Sequence, residues 1–441
     1  MDLHGSGGYQ RSTAASDRRY VIASTLRSGL HRMLASGGTC RSDASTERTR
    51  RSTVPIAISS TLPFDPVLAS PFRIGILSTF PPTQCGLATF AAALAASLTA
   101  LGAEVYVVRV ADGSASSSHL VVGELENNRP TSVAAVVDLL NRIDVVIIQH
   151  EYGVYGGIDG DEVVDILGCL QVPAIVIAHT VLSEPTTHQR SVLVDLAALA
   201  DRVVVMSDAA GRRMRDRVGV DPAKIDTIPH GATVPGRATR PTPQRPTLLT
   251  WGLVGPGKGI ERVIDAWPHL QKVAPRARYL VAGRTHPKVL AAEGESYRVA
   301  RVKQASQNGV ADSVDFDATY RDLPTLTALI QSSVAVVLPY DSREQATSGV
   351  LVDALAAGRP VVATAFPHAI EMLASGAGVI VDHDDPDAMA RALTHVLTDH
   401  VAISTMTAEA RRIAPTLSWP VIAASYLRLA ERLFLERNAL V

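Results

Sequence analysis

From Arg73 onward the chain alternates short β-branched runs with helical stretches, and this alternation narrows the choice of fold more than any other feature. Ile74 to Leu77, Val105 to Val110, Val145 to Gln149, Ala174 to Ala178 and Arg202 to Met206 read as strands. Between them lie helical stretches that reach Leu101, run near Thr131 to Arg142, and run about Gln189 to Leu199. Strands apolar along their whole length are buried on both faces, so a parallel sheet covered by helices on either side is expected. The stretch Pro235 to Pro246 then holds four prolines, one glycine and three arginines without an apolar period, as a linker does.

A second series follows, with expected strands Thr247 to Trp251, Ala277 to Ala282, Val314 to Phe316, Val334 to Leu338, Pro360 to Thr364 and Gly378 to Val381. Helices such as Ile260 to Leu270 and Val350 to Ala357 separate them. The expected class is therefore α/β, with two Rossmann-like, doubly wound domains facing one cleft. The chain divides into a basic extension (1–70), a first domain (71–235), a linker (236–246), a second domain (247–415) and a C-terminal helix (416–441). That last helix, long and amphipathic from Pro420 to Arg437, is placed to cross back onto the first domain.

The 441 residues carry 42 basic and 43 acidic side chains, and 46 % are hydrophobic. Such a chain is long and apolar enough for two cores, and it lacks the basic excess of a nucleic-acid binder. Charge is uneven, however, because residues 1 to 60 hold nine arginines against four acids. This Ser/Thr/Arg-rich segment is expected to be mostly disordered. Its Tyr20 to Leu34 stretch has the pattern of a short basic amphipathic helix, so peripheral contact with anionic lipid head groups is the alternative expectation. Gly86 to Ala103 is free of charge but rich in Ala, with Thr89, Ser97 and Thr99, and lies between two strand-like runs, as a helix buried against a sheet would. Cys40, Cys85 and Cys169 are odd in number and widely spaced, which fits a reducing, cytoplasmic compartment and gives neither a disulfide framework nor a zinc cluster.

In open parallel sheets, ligands bind beyond the carboxyl ends of the strands. The loops there are Pro81 to Gly86, His150 to Gly157, His179 to Pro185, Gly252 to Gly259, Gly283 to Pro287 and Tyr340 to Gly349. Gly252-Leu-Val-Gly-Pro-Gly-Lys-Gly259 joins a strand to a helix, where backbone amides, a helix N-terminus and the Lys258 charge suit a diphosphate. It is close to a Walker A loop but has Gly259 where Ser or Thr would hold magnesium, so a P-loop-like nucleotide hydrolase is one reading. Ser348 is the expected N-cap of a helix from Gly349 to Gly358, whose N-terminus offers a second anion site. Asp353, one turn in, would suit the paired hydroxyls of a ribose.

Together these loops resemble the nucleotide-sugar-dependent glycosyltransferases of family 4, which have the GT-B architecture of two Rossmann-like domains. Arg73-Ile-Gly-Ile-Leu-Ser-Thr-Phe-Pro-Pro-Thr-Gln-Cys-Gly-Leu-Ala-Thr-Phe90 is similar to the family's first strand, glycine loop and helix. Gly252 to Gly259 resembles its donor-phosphate loop, Ile228-Pro-His-Gly231 the segment entering the linker, and Gln345 to Asp353 its paired-acid signature. The resemblance covers residues 73 to 435. Two positions depart from it: Gln345 and Asp353 stand where the family has two glutamates, with Glu344 one step out of register, and Leu253 stands where the family often has an arginine.

The resemblance implies a retaining glycosyltransferase that moves a hexose from a nucleoside-diphosphate sugar to the hydroxyl of a glycan, lipid or small molecule, without a metal or other cofactor. It implies that Lys258, His179 and Gln345 act on the reacting sugar and leaving phosphate. Donor binding falls to Gly86, Lys258, Arg284, Gln345, Thr347, Ser348, Gly349, Val350 and Asp353, with Gly86 letting the first loop come close to the donor phosphate. His150 and Glu151, in Gln-His-Glu-Tyr-Gly at the cleft edge, are candidates for acceptor contact. The loss of charge at Gln345 makes a nucleotide-sugar-binding protein without turnover the main alternative.

Overall fold

The computed structural model describes residues 71–236, 245–385 and 387–439, all within the unit Pro66–Val441. The expected basic extension and most of the expected linker lie outside the described residues.

The first sheet has seven parallel strands, β1 (Arg73–Ser78), β2 (Glu104–Val110), β3 (Val121–Leu125), β4 (Val145–His150), β5 (Ala174–Ala178), β6 (Arg202–Val205) and β7 (Ile225–Thr227), in the order β3-β2-β1-β4-β5-β6-β7. Five of them follow the apolar runs of the sequence. The strands β3 and β7 escape that reading because they are sheet edges. Gly123 and Glu124 interrupt the first, and the second is only Ile-Asp-Thr, so neither shows a continuous buried run. Its helices are α1 (Gly86–Ala100), α2 (Pro130–Leu140), α3 (Glu162–Gly168), α4 (Thr187–Leu199) and α5 (Asp208–Arg213).

The second sheet, β8 (Thr247–Trp251), β9 (Arg278–Ala282), β10 (Val314–Asp317), β11 (Ala335–Leu338), β12 (Val361–Thr364) and β13 (Gly378–Val381), has the order β10-β9-β8-β11-β12-β13, again all parallel. Around it lie α6 (Ile260–Val273), α7 (Pro287–Glu293), α8 (Ser296–Gln307), α9 (Leu323–Ser332), α10 (Gly349–Ala356), α11 (Pro367–Leu373), α12 (Ala388–Thr398) and α13 (His400–Ile413). In both sheets the chain reverses its direction of winding beside the first strand, and the crevice at that switch point is where an α/β sheet binds ligands.

Helix α6 continues through Pro268, three residues past its expected end. Proline cannot donate to the carbonyl four residues back, that of Ile264, and the Asn308 side chain bonds it instead at 3.3 Å. The final helix, α14 (Trp419–Asn438), crosses back as expected. Trp419, Ile422, Tyr426, Leu429 and Leu433 enter the core formed by α1 and the face of the first sheet that carries Ile74, Ile76, Val145 and Ile147. The charge-free α1 is thus covered by protein on two sides, and no helix among the described residues is long and apolar enough to cross a membrane.

Candidate functional site

The glycine loop between β8 and α6 is shaped by left-handed backbone. Gly259 has φ +63°, and a Cβ there would fall 1.7 Å from the carbonyl oxygen of Pro339. No serine or threonine fits that position, so the magnesium-holding hydroxyl of a P-loop has no place and the hydrolase reading loses its chemical basis. Gly283 likewise presses on Gly252, with its Cβ position 1.9 Å from the Gly252 carbonyl oxygen. The amide of Asp341 donates to Gly257 at 3.0 Å, tying the glycine loop to the loop after β11.

The Lys258 ammonium lies 4.5 Å from the centroid of the Tyr340 ring, which stacks on Phe366. It has no hydrogen bond or ion pair among the described residues, and burial lowers its pKa. Aromatic faces hold a cation without neutralising it, so its charge remains available to an anion.

Helix α10 begins as expected, with the Ser348 hydroxyl accepting from the Leu351 amide at 3.3 Å. One donor expected there is already used: the Ser348 amide donates to Nδ1 of His368 at 2.8 Å. Burial keeps His368 neutral, with its pKa lowered to about 3, so Nδ1 has a lone pair to accept this bond. The His368 amide in turn donates to the Gln345 carbonyl at 3.3 Å. The first turn of α11 therefore fixes both ends of the loop 345–348. The amides of Thr347, Gly349 and Val350 have no acceptor among the described residues and remain open to an anion. The side chains of Gln345 and Asp353 also have no partner there. Burial raises the Asp353 pKa to about 7.

Glu344 belongs elsewhere. Its carboxylate lies 3.3 Å from Arg213 of the first domain, and Arg213 also donates to the carbonyls of Glu344 at 2.5 Å and Val181 at 3.0 Å. Other contacts join the domains. Ser207 donates to the Ala346 carbonyl at 2.6 Å, and the Asp208 and Ala209 amides donate to Glu371 at 3.0 and 3.2 Å. Arg284, expected on the donor phosphates, instead donates to Gln84 across the cleft and lies over the Tyr320 ring.

On the first-domain side, His179 is half-buried, and its Nε2 lies 2.8 Å from Oε1 of the buried Gln149. Its ring meets Phe90 edge-on at 5.0 Å, and burial lowers its pKa to about 3, with His230 and His150 adding to the shift. His230 packs between Phe90 and Trp419, and its Nε2 lies 3.0 Å from the Cβ position of Gly349. His150 is not at the cleft surface. Its ring is completely buried, with neither nitrogen bonded and the pKa lowered to about 4 by burial, so it offers nothing to an acceptor in this conformation. Glu151 does lie at the edge. It accepts from Thr180 and from the Tyr152 amide, and its pKa is raised by burial while Lys288 of the second domain opposes the rise.

A Cβ on Gly86 would meet no protein atom within 4 Å, so the loop is open at that point; the cap of α1 is Cys85, whose sulfur accepts from the Ala88 amide. The residue that shapes this loop is Arg109, which was not among the expected site residues. Completely buried at the end of β2, it donates to the Phe80 and Ser114 carbonyls at 3.1 and 2.7 Å, to Glu124 at 2.8 Å and to Thr83 at 2.9 Å, and pairs with Asp112.

A cavity of about 700 Å³ lies beside α6, lined by Arg262, Asp265, His269, Thr364, Asp382 and Asp385 among others. None of the residues expected to hold the donor lines it.

Two Rossmann-like domains with unpartnered cationic and hydrogen-bonding groups at their switch point define the GT-B class. The comparisons with known proteins agree. Residues 85–234 match the family described as Glycosyltransferase Family 4, and residues 245–399 match Glycosyl transferases group 1. Together the matches cover well over half of the chain, and the chain belongs to the family 4, group 1 glycosyltransferases. It is 26 % identical over 273 residues to a D-inositol 3-phosphate glycosyltransferase of Kineococcus radiotolerans, covering 54 % of this chain and 59 % of that one. It is 28 % identical over 235 residues to a phosphatidyl-myo-inositol mannosyltransferase of Mycolicibacterium smegmatis, covering 52 % and 56 %. The match thus spans less than two thirds of these relatives' length. Among solved structures, Anabaena HepE in complex with UDP and glucose superposes with a TM-score of 0.64 at 17 % identity, over 82 % of this chain and all of that one. Sucrose-phosphate synthase of Thermosynechococcus elongatus gives 0.65 at 18 %, over 83 % of this chain and all of that one.

Proposed function

We propose that the chain is a retaining glycosyltransferase that moves a hexose from a nucleoside-diphosphate sugar to an acceptor hydroxyl without a divalent metal. One observation carries this reading. The unpaired Lys258 ammonium, the open amides of Thr347, Gly349 and Val350, and the unpaired Asp353 carboxylate all belong to the loops and helix at the carboxyl ends of the neighbouring strands β8 and β11. Charge develops on the leaving diphosphate, and a fixed cation with oriented amides stabilises it there. That is the service a metal ion gives in other transferases.

Asp353 accepts from the ribose hydroxyls, Gln345 hydrogen-bonds the hexose through its amide, and His179 contacts the sugar from the first domain. Glu151 is the remaining candidate for acceptor contact. The curated relatives are named for inositol phosphate and phosphatidylinositol acceptors and the solved HepE complex holds UDP, which supports a hydroxylated acceptor and a nucleoside-diphosphate donor. Peripheral membrane contact through residues 1–70 is the corresponding proposal for the extension.

The test is a thermal-shift panel of UDP, GDP, ADP and ATP with and without magnesium, followed by transfer assays on the responding donor. A ligand at about 100 times its Kd adds roughly 2.7 kcal/mol. The expected result is stabilisation by one nucleoside diphosphate that EDTA leaves unchanged, turnover that Lys258→Ala abolishes, and a product with the donor's anomeric configuration by NMR. Inversion of the anomer or an absolute need for magnesium overturns the mechanism. Tight donor binding with neither transfer nor hydrolysis supports the binding-protein alternative that Gln345 motivates.

A further inference from the structure

The first sheet carries a polar row at its carboxyl edge that donor binding alone does not explain. In β1, β4 and β5 the residues Ile74 and Ile76, Val145 and Ile147, and Ile175 and Ile177 point into the core beneath α1 and α14. Alternation by two residues carries Ser78, Gln149 and His179 onto that same face. The Leu77–Ile148 pairing makes Ser78 and Gln149 the next step of the ladder, and β4 and β5 are also neighbours. Both Ser78 and Gln149 are completely buried. A leucine would suit this face of β4 as its other residues do, so the carboxamide calls for a reason. Its oxygen lies 2.8 Å from His179 Nε2, while its Nε2 and the Ser78 hydroxyl have no partner among the described residues.

We propose that Gln149 is a positioning residue for His179: its oxygen takes the imidazole Nε2–H, fixes that tautomer, and leaves Nδ1 as a lone-pair acceptor for a hydroxyl of the donor sugar. This rests on the assignment of His179 to the donor site. With the carboxamide oxygen toward the ring, Nε2 carries the hydrogen, and the neutral ring has its lone pair on Nδ1. Nδ1 has no hydrogen bond among the described residues. The edge-on Phe90 of α1 holds the ring plane.

The titratable groups acting on His179 are His150 of β4 and His230 beyond β7, both neutral imidazoles in buried surroundings. Among the described residues no carboxylate acts on the ring to stabilise an imidazolium. The site is therefore built for a neutral acceptor, and its function does not depend on His179 titrating near neutral pH.

The experiment uses the full chain and two variants, Gln149→Leu and the near-isosteric Gln149→Glu, each first shown to keep the wild-type circular dichroism spectrum. Imidazole 15N NMR, assigned through His179→Asn, reads the tautomer without any substrate. The wild type is expected to show neutral, Nε2–H His179 from pH 5 to 8. Gln149→Leu should lose that single tautomer, and Gln149→Glu should bring a protonated fraction into the same pH range, because a neighbouring carboxylate favours the imidazolium. With UDP-glucose, GDP-glucose and ADP-glucose as probes, Gln149→Leu should lower kcat about tenfold or more with KM within about twofold, and Gln149→Glu should add a new limb to the pH–rate profile.

An Nδ1–H tautomer in the wild type overturns the proposal. So does a Gln149→Leu protein that keeps both the tautomer and the wild-type kcat. If no probe is turned over, the functional reading fails by itself, and retention of the Nε2–H form in Gln149→Leu still overturns the role given to Gln149.

Discussion

At the carboxyl edge of the first sheet Arg109 and Glu151 are bound to the protein itself, whereas at the same edge of the second sheet Lys258 and Asp353 stand open among the described residues. Arg109 donates to Phe80, Ser114, Glu124 and Thr83 while pairing with Asp112, and Glu151 accepts from Thr180 and the Tyr152 amide. Among the described residues Lys258 has an aromatic face and no counter-ion, and Asp353 has no donor. Apart from the extra edge strand β7 the two sheets share one strand order, so the difference lies in what each loop set is built to do. One edge is a finished frame. The other keeps a cation and a carboxyl group without protein partners in the loops and helix that follow neighbouring strands, an arrangement that becomes favourable only when a ligand supplies the missing partners.

Lys258→Ala gives the largest expected effect. Turnover should fall about 10²–10³-fold, as for the loss of one group that stabilises a developing oxyanion, while the unfolding midpoint stays at or slightly above that of the wild type. Steady-state kinetics and urea unfolding on one preparation check both halves. A large loss of stability instead would mean that Lys258 belongs to the frame.

Arg109→Met should show the opposite pattern. Removing a buried guanidinium leaves the Ser114 carbonyl without a donor, takes one of two donors from the Phe80 carbonyl, which keeps the Thr83 amide, and leaves a gap at the end of β2, at a cost of about 2–4 kcal/mol. The thermal shift produced by the responding nucleoside diphosphate should persist, since the donor loops are untouched. Loss of the nucleotide response with little loss of stability would reverse the comparison.

Asp353→Asn sharpens it through pH. The Asp353 carboxyl titrates at about 7 in the folded protein against an ordinary 3.8, so between these values the folded state holds a proton that the unfolded state has lost. Its contribution to stability therefore falls as pH rises from about 4 to about 7, and the full cost persists above that. In the ligand-free protein at pH 8 the asparagine variant should be more stable by on the order of 1–2 kcal/mol, after allowance for partial exposure, with no difference near pH 3. Nucleotide binding should weaken about tenfold at pH 8, because a charged hydrogen-bond acceptor is lost. Wild-type binding should strengthen as pH rises through 7, and in the variant that dependence should vanish. Calorimetry across pH reads all three.

The second-domain site was the more legible in the sequence for the same physical reason. Glycines at a strand–helix junction, a lysine beside them and a serine before a helix act through neighbouring backbone, so Gly252 to Gly259 and Ser348 to Asp353 could be read as contiguous pieces. The frame is assembled across the chain. Arg109 meets Glu124 fifteen positions on, Gln149 meets His179 thirty positions on, and His368 takes the Ser348 amide from twenty positions away. Only His368 left a local trace, following a helix-starting Pro367. The expectation that failed went the same way: His150, expected at the cleft, is turned into the core by alternation along β4. The edge strands β3 and β7 lacked the buried run that identifies central strands.

Glu344→Gln yields the smallest expected effect and decides how the paired-acid signature is to be read. In sequence, Glu344 is one step from the position where the related family has its first glutamate, and a small shift of the loop would restore a carboxylate at the donor sugar. The geometry argues against such a shift. Arg213 holds the Glu344 carboxylate at 3.3 Å and its carbonyl at 2.5 Å, the His368 amide holds the Gln345 carbonyl, and Ser207 holds the Ala346 carbonyl at 2.6 Å. Moving Glu344 into register would break all of these at once. With the acid about half exposed, its ion pair is worth less than about 1 kcal/mol, so the glutamine variant should keep stability and donor affinity, with turnover within about twofold of wild type. Gln345→Ala, by contrast, removes the amide proposed to bond the hexose and should lower turnover about tenfold or more. A hundredfold loss in Glu344→Gln, with Gln345→Ala silent, would show that the loop does shift on binding and that the family's first acid is supplied from the neighbouring position.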